Sequence, residues 1–195
     1  MREMIKMVVV LTVLSAFSGG LLAAIRNGTA EDIENQKLTF VKGPAIKTIL
    51  EGASNDPIAD RFKITDGDVE RSFFVGKFDG KAETVVFETF GKGYGGDVGL
   101  MVGVNVKEDK VVGVGVTTHQ ETPGLGAKAK TDADFAGQFK ALSAKDPVKV
   151  TNDGGKINAI SGATITSRAV CNAATAASDV YNRLKPQIEE KLKGF

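Results

Sequence analysis

From Met7 to Ile25 the sequence MVVVLTVLSAFSGGLLAAI runs for 19 residues without a charged side chain. Coiled as a helix at about 1.5 Å per residue, that run reaches roughly the 30 Å of a bilayer's hydrocarbon core. A cleaved signal peptide fits less well, because its apolar stretch is usually about 7–15 residues and ends in an A-x-A-like site; here Leu22-Ala23-Ala24 gives no clean one. No cysteine lies close behind the run to accept a lipid. Arg2 and Lys6 lie before it, and acidic and basic residues balance in the rest of the chain, so the basic excess sits on the short leading segment. That asymmetry predicts a cytoplasmic start over 1–6, one transmembrane helix over 7–25 and an exported body. Ser15, Ser18, Gly19 and Gly20 give the helix a small-residue face, of the kind that packs closely on neighbouring helices or is simply tolerated in a membrane.

The remainder is long enough for one ordinary domain in a chain of 195 residues. With 25 Lys plus Arg against 24 Asp plus Glu there is no basic field for a nucleic-acid partner. One cysteine, Cys171, cannot close an intrachain disulfide or hold a metal cluster, and one histidine, His119, rules out a histidine-rich metal site. Cys171 lies among small residues of a predicted helix and reads as a buried, inert thiol. No metal site and no side-chain catalyst are expected. The 23 glycines are the unusual number, and they point to tight turns and close backbone approach.

Residues 26–70 read as a neck with a helical segment. Residues 26–40 are polar and helix-compatible, and AIKTIL (Ala45–Leu50) is a short helix stopped by Glu51-Gly52 and the Ser54-Asn55-Asp56-Pro57 cluster. Residues 71–195 form the domain. Strands Arg71–Phe78 and Ala82–Phe90 flank Asp79-Gly80, a hairpin dipeptide; Val98–Val106 and Val111–Thr118 flank a polar connection. Alternation places Val102, Val104 and Val106 on one face with Val112, Val114 and Val116. Gly103, Asn105, Gly113 and Gly115 then form an opposite trough open to a flat ligand or a packed helix. Asp132–Leu142 has helical spacing at Phe135, Phe139 and Leu142; Val148–Val150 and Lys156–Ile160 are short strands; a final helix runs from Thr164 to Leu184, where Pro186 kinks or ends it. The class is α+β, an antiparallel sheet covered by helices.

Two segments carry the chemistry. In His119-Gln120-Glu121-Thr122-Pro123-Gly124-Leu125-Gly126, Pro then Gly marks a type II turn, and such a loop can present backbone N–H groups to a ligand. In Ser161-Gly162-Ala163-Thr164-Ile165-Thr166-Ser167-Arg168, small hydroxyl residues at a helix start either cap it or help its free N–H groups bind an anion, most often phosphate.

Together THQETPGLGAK and SGATITSRAV resemble the FMN-binding domain of the G subunit of the Rnf electron-transport complex and its relative, the C subunit of the sodium-pumping NADH:quinone reductase. The likeness extends to the leading anchor, AIKTILEGA and GYGGDVGLMVGVNV. It implies FMN held covalently through a phosphoester on Thr164, with Ser161, Gly162 and Ala163 completing the motif. It also implies that Glu121, Thr122, Pro123, Gly124, Leu125 and Gly126 form the loop contacting the flavin. The short length favours the Rnf protein, with its C-type relative as alternative. The implied partners are other subunits of a bacterial or archaeal inner-membrane complex and the flavin transferase that makes the bond, with the domain facing away from the cytoplasm. The resemblance further implies that the protein relays electrons between neighbouring redox subunits on the path from ferredoxin to NAD, coupled to Na⁺ or H⁺ movement. Family members place an aspartate three residues before the motif; here Asn158 keeps the shape and loses the charge, which bears on the efficiency of flavin attachment.

Two readings of other classes set the contrast. A hydrolase using Ser161 or Ser167 with His119 and Asp97 lacks the G-x-S-x-G elbow. An anchored, non-catalytic module would bind a protein partner without covalent flavin.

Overall fold

The computed structural model describes residues 1–195, the side chain of Glu31 excepted, as two compact units, Met1–Thr39 and Phe40–Phe195. In the first, α1 (Arg2–Gln36) is one unbroken helix of 35 residues, so it neither starts at Met7 nor stops at Ile25. Its stretch Arg2–Ala30 is long and apolar enough to cross a membrane. The apolar side chains from Met4 to Ile25 are exposed, and the hydroxyls of Thr12 and Thr29 donate to the Val8 and Ile25 carbonyls, which satisfies them within the helix. A π-helical turn, Lys37–Lys42, follows.

The second unit is built on a five-stranded antiparallel meander in the order β1-β2-β3-β4-β5. Its strands are β1 (Arg61–Asp66), β2 (Val69–Phe78), β3 (Lys81–Lys92), β4 (Asp97–Asn105) and β5 (Lys110–Val116). The expected boundary at 70/71 therefore falls inside β2, and the neck reading of 26–70 is corrected: β1 is part of the sheet, and the compact unit begins at Phe40. Asp79 and Gly80 both adopt positive φ, at 51° and 74°, as a tight two-residue hairpin demands.

One face of the sheet, carrying Phe73, Val75, Val85, Phe87, Leu100 and Val102, packs against α5 (Thr164–Leu192). Ala169, Ala173 and Ala177 let the helix approach closely, and a Cβ at Gly91 would overlap the Ala169 carbonyl oxygen. Pro186 lies within α5 and does not end it, because buried Leu184, Ile188 and Leu192 hold the last turns on the core. On the other face α2 (Gly43–Ile49) fills the glycine trough: a Cβ at Gly103 would strike Ile49, and one at Gly115 would sit 3.0 Å from the Ala45 methyl. The trough thus receives a helix, not a flat ligand.

A bulge at Gly103/Val104 pairs Val104 with Val111, so Val111 joins the core in place of Val112, which turns toward the α2 side. Of the expected helix over Asp132–Leu142 only α4 (Ala133–Gly137) forms, after a separate short α3 (Lys128–Thr131), and Ala141 at φ 65° breaks the remainder. Val148–Val150 and Lys156–Ile160 do not form strands; a single parallel bridge, Val150 to Ile157, joins them. Cys171 is buried, and burial pushes its thiol up to about 12, which keeps it protonated and inert.

Candidate functional site

The expected Pro-Gly turn forms. The Leu125 N–H donates to the Thr122 carbonyl at 3.2 Å with Gly124 at φ 76°, the geometry of a type II turn. A second turn of this pattern closes the other segment: the Ala163 N–H donates to the Ile160 carbonyl at 2.9 Å with Gly162 at φ 77°. The two turns stand side by side, and Leu125 Cδ2 lies 3.2 Å from the place a Cβ on Gly162 would occupy.

α5 begins immediately after the second turn, and the residue at its N-cap, Ala163, offers no side-chain cap. The capping role expected of the hydroxyls near Ser161 is therefore not played by Ser161, which is exposed. Ser167 instead braces the turn from within the helix. Its buried Oγ accepts from the Ile160 N–H at 3.0 Å and donates to the Ala163 carbonyl at 3.0 Å. The first intrahelical bond is Ser167 N–H to Ala163 O, so the amides of Thr164, Ile165 and Thr166 make none, and the positive end of a 29-residue helix dipole lies at Thr164.

Upstream, Gln138 holds the approach to the motif. Its side-chain amide accepts from the Asn158 N–H at 2.7 Å and donates to the Asn158 carbonyl at 3.2 Å, while the Asn158 side chain is exposed.

Glu121 ties these parts together. It is 5% exposed, accepts the Gly95 N–H at 2.8 Å, and forms a short hydrogen bond with the hydroxyl of Thr166. Its own N–H donates to His119 Nδ1 at 3.3 Å. Glycines make room for it: a Cβ at Gly93 would lie 2.5 Å from Glu121 Oε1, and one at Gly126 would lie 2.6 Å from Thr166 Oγ1. Burial acts to raise its pKa, but the hydrogen bonds from Thr166, Gly95 and Tyr94 together with the His119 field outweigh that, leaving a carboxyl held below its ordinary value and ionised at neutral pH.

Between the turns lies a cleft of about 480 Å³ lined by Tyr94, Glu121, Thr122, Leu125, Gly126, Gly162, Ala163, Thr164, Ile165 and Thr166. Small-ligand pockets span roughly 300–1,000 Å³. Seven residues singled out from sequence line it: Glu121, Thr122, Leu125, Gly126, Gly162, Ala163 and Thr164. Pro123 and Gly124 shape the turn, and Ser161 stands at the second turn without lining the cleft. Sequence reading missed Ile165 and Thr166 as wall residues. Thr166 lies in the first turn of α5, and its partner Glu121 is 45 positions away. The hydrolase constellation does not assemble: Ser167 is buried on backbone partners, Asp97 pairs with Lys92 at 3.2 Å, and His119 receives the Glu121 amide.

An uncapped helix start suits a phosphate, and a cleft walled by Leu125, Ile165 and Tyr94 suits a planar apolar ring. Residues 93–179, which hold both turns and the cleft, match the FMN-binding domain family. The chain is 31% identical over 193 residues to the G subunit of the ion-translocating oxidoreductase complex of Vibrio cholerae serotype O1, covering 93% of this chain and 92% of that one. It is 33% identical to the G subunit of the same kind of complex from Methanosarcina acetivorans, over 91% of this chain and 94% of that one. It is also 34% identical to the G subunit of the proton-translocating ferredoxin:NAD(+) oxidoreductase complex of Clostridium ljungdahlii, over 82% of each. The chain belongs to this family of G subunits. The fold resembles that of the C subunit of the Na(+)-translocating NADH-quinone reductase from Parabacteroides distasonis, with a TM-score of 0.53 at 23% identity over 70% of this chain and 73% of that one. It equally resembles NqrC of Shewanella oneidensis, at a TM-score of 0.52 and 24% identity over 74% and 73%.

Proposed function

We propose that this chain is a single-pass, membrane-anchored flavoprotein that carries FMN covalently on Thr164 and relays electrons within an Rnf-type ferredoxin:NAD oxidoreductase coupled to Na⁺ or H⁺ translocation. The observation that carries the reading is Thr164 itself, half-buried at the uncapped start of α5 and lining the cleft it shares with the ETPGLG loop. FMN when bound supplies the electron chemistry. The chain's residues do the rest. The Thr164, Ile165 and Thr166 amides and the helix dipole would hold the phosphate, and Thr164 Oγ would carry it as the ester oxygen. Leu125 and Ile165 offer apolar wall, while the Gly124 and Gly162 turns keep the backbone bare at the rim. Because the turns are fixed by their own hydrogen bonds and by Ser167, the cleft needs little ordering when the cofactor enters.

Arg2 and Lys6, in α1 ahead of its apolar run, support a domain on the extracytoplasmic side of the cytoplasmic (inner) membrane, where a tether prevents loss of cofactor by dissociation. A flavin transferase is the maturation partner, and the relatives' names support partnership with other subunits of a membrane complex. The test is coexpression of the full chain with a flavin transferase, followed by denaturing electrophoresis viewed by flavin fluorescence. The expected result is a fluorescent band that Thr164→Ala abolishes while its far-ultraviolet circular dichroism matches wild type; fluorescence persisting in Thr164→Ala would move the attachment elsewhere.

A further inference from the structure

We propose that Glu121 lowers the reduction potential of the flavin by holding a fixed negative charge in the wall of the cleft. This inference rests on the reading that FMN occupies that cleft. Glu121 differs from the other wall residues in kind: it is an acidic side chain, 5% exposed, among neutral neighbours. Its carboxylate accepts hydrogen bonds only from neutral dipoles, the Gly95 and Tyr94 amides and the Thr166 hydroxyl, and no salt bridge to Glu121 exists among the described residues. The nearest titratable neighbour, His119, meets Glu121 through the backbone, its Nδ1 accepting the Glu121 N–H at 3.3 Å, and not through the carboxylate.

Hydrogen bonds of this kind stabilise the ionised carboxyl without cancelling its field. Two flanking glycines, Gly93 and Gly126, give way to the carboxylate and its partner hydroxyl, so the group is fixed in place. A buried fixed charge acts at low effective dielectric, and adding electrons to a nearby ring then works against it. A purely structural pin tying three loops together could be made by a neutral amide; a carboxylate adds a field that an amide lacks.

The discriminating variant is Glu121→Gln in the full, flavin-loaded chain. Glutamine keeps the size, accepts from the Gly95 amide through its carbonyl oxygen and donates to Thr166 Oγ1 through its nitrogen. Spectroelectrochemical titration of the detergent-solubilised chain should show the midpoint potential rising. A tenfold change in the two-electron equilibrium, about 30 mV, is the expected scale for losing one charge across a cleft of this size. Thr166→Val provides the opposite sign: it leaves the carboxylate and removes one compensating dipole, so the potential should fall. A Glu121→Gln potential equal to wild type would overturn the inference and leave Glu121 a positioning residue. If Glu121→Gln retains no flavin, a fall in Thr166→Val supports the inference, and a rise or no change overturns it. Failure of the wild-type chain to carry flavin in the cleft would instead overturn the reading beneath it.

Discussion

Gly91→Ala tests how α5 is seated, and with it the position of the helix start that forms one wall of the cleft. A methyl built at Gly91 overlaps the Ala169 carbonyl oxygen and falls 2.9 Å from its carbonyl carbon and 3.1 Å from the Ala173 nitrogen. Ordinary carbon contacts lie near 3.5–4.0 Å. The obstacle is helix backbone, which cannot swing aside like a side-chain tip, so α5 or β3 must shift bodily. Two residues earlier on β3, the Thr89 hydroxyl donates to the Ala173 carbonyl at 2.8 Å, and the shift strains that bond as well. Overpacking of this type costs about 1–3 kcal/mol, and a backbone obstacle puts this case at about 3. For a unit of this size that corresponds to a loss of about 6–12 °C in melting temperature. The assay is thermal unfolding of the full chain in detergent, followed by near-ultraviolet circular dichroism. The control is Gly137→Ala, where no atom lies within 4 Å of the new methyl. A Gly91→Ala midpoint within a degree or so of that control would refute the close seating of α5 on β3.

Three further expectations follow from the same contacts. Ser167→Ala orphans the buried Ile160 N–H and should destabilise the unit by about 1–3 kcal/mol, read as a lower urea midpoint; no change would mean the Ser161-Gly162 turn does not depend on that brace. Gly124→Val forces a β-branched residue to φ 76° and should reduce flavin content per chain measured by absorbance, whereas normal content would show the type II turn to be dispensable. Asp66 is held to about 2 from 3.8, chiefly by its hydrogen bonds to Arg183 and Arg71, which join the β1–β2 hairpin to α5. Because the folded value is the lower one, its stabilisation is complete above the ordinary carboxylate range and drains away as pH falls from about 4 through 2. Asp66→Asn should flatten that part of the stability-against-pH curve, and an unchanged acid limb would contradict the assignment.

The parts of this fold legible in sequence were those set by local chemistry. Asp79-Gly80 and Pro123-Gly124 state their turns in two residues, and the valine alternation of β4 states its faces. What escaped notice depended on partners distant in the chain. RFKITD, the β1 sequence, is short and half charged and becomes a strand by pairing Arg61–Asp66 with Val69–Phe74. The bulge at Gly103/Val104 moves Val111 into the core in place of Val112, a shift that strict alternation cannot register. Pro186 breaks an isolated helix, yet core packing of Leu184, Ile188 and Leu192 carries α5 past it. In the cleft, the two loop segments were visible as motifs, while the bond between Glu121 and Thr166 needed the fold to bring them together.

The central claim is a flavin phosphoester on Thr164, and the most direct measurement is the site itself. Trypsin cutting after Lys156 and Arg168 releases Ile157–Arg168, a peptide that holds Ser161, Thr164, Thr166 and Ser167 as rival hydroxyls. Fragmentation mass spectrometry of that peptide, from the full chain matured with a flavin transferase, should show a gain of FMN less one water localised to Thr164. An unmodified peptide, or the same gain on one of the other three hydroxyls, would contradict the account.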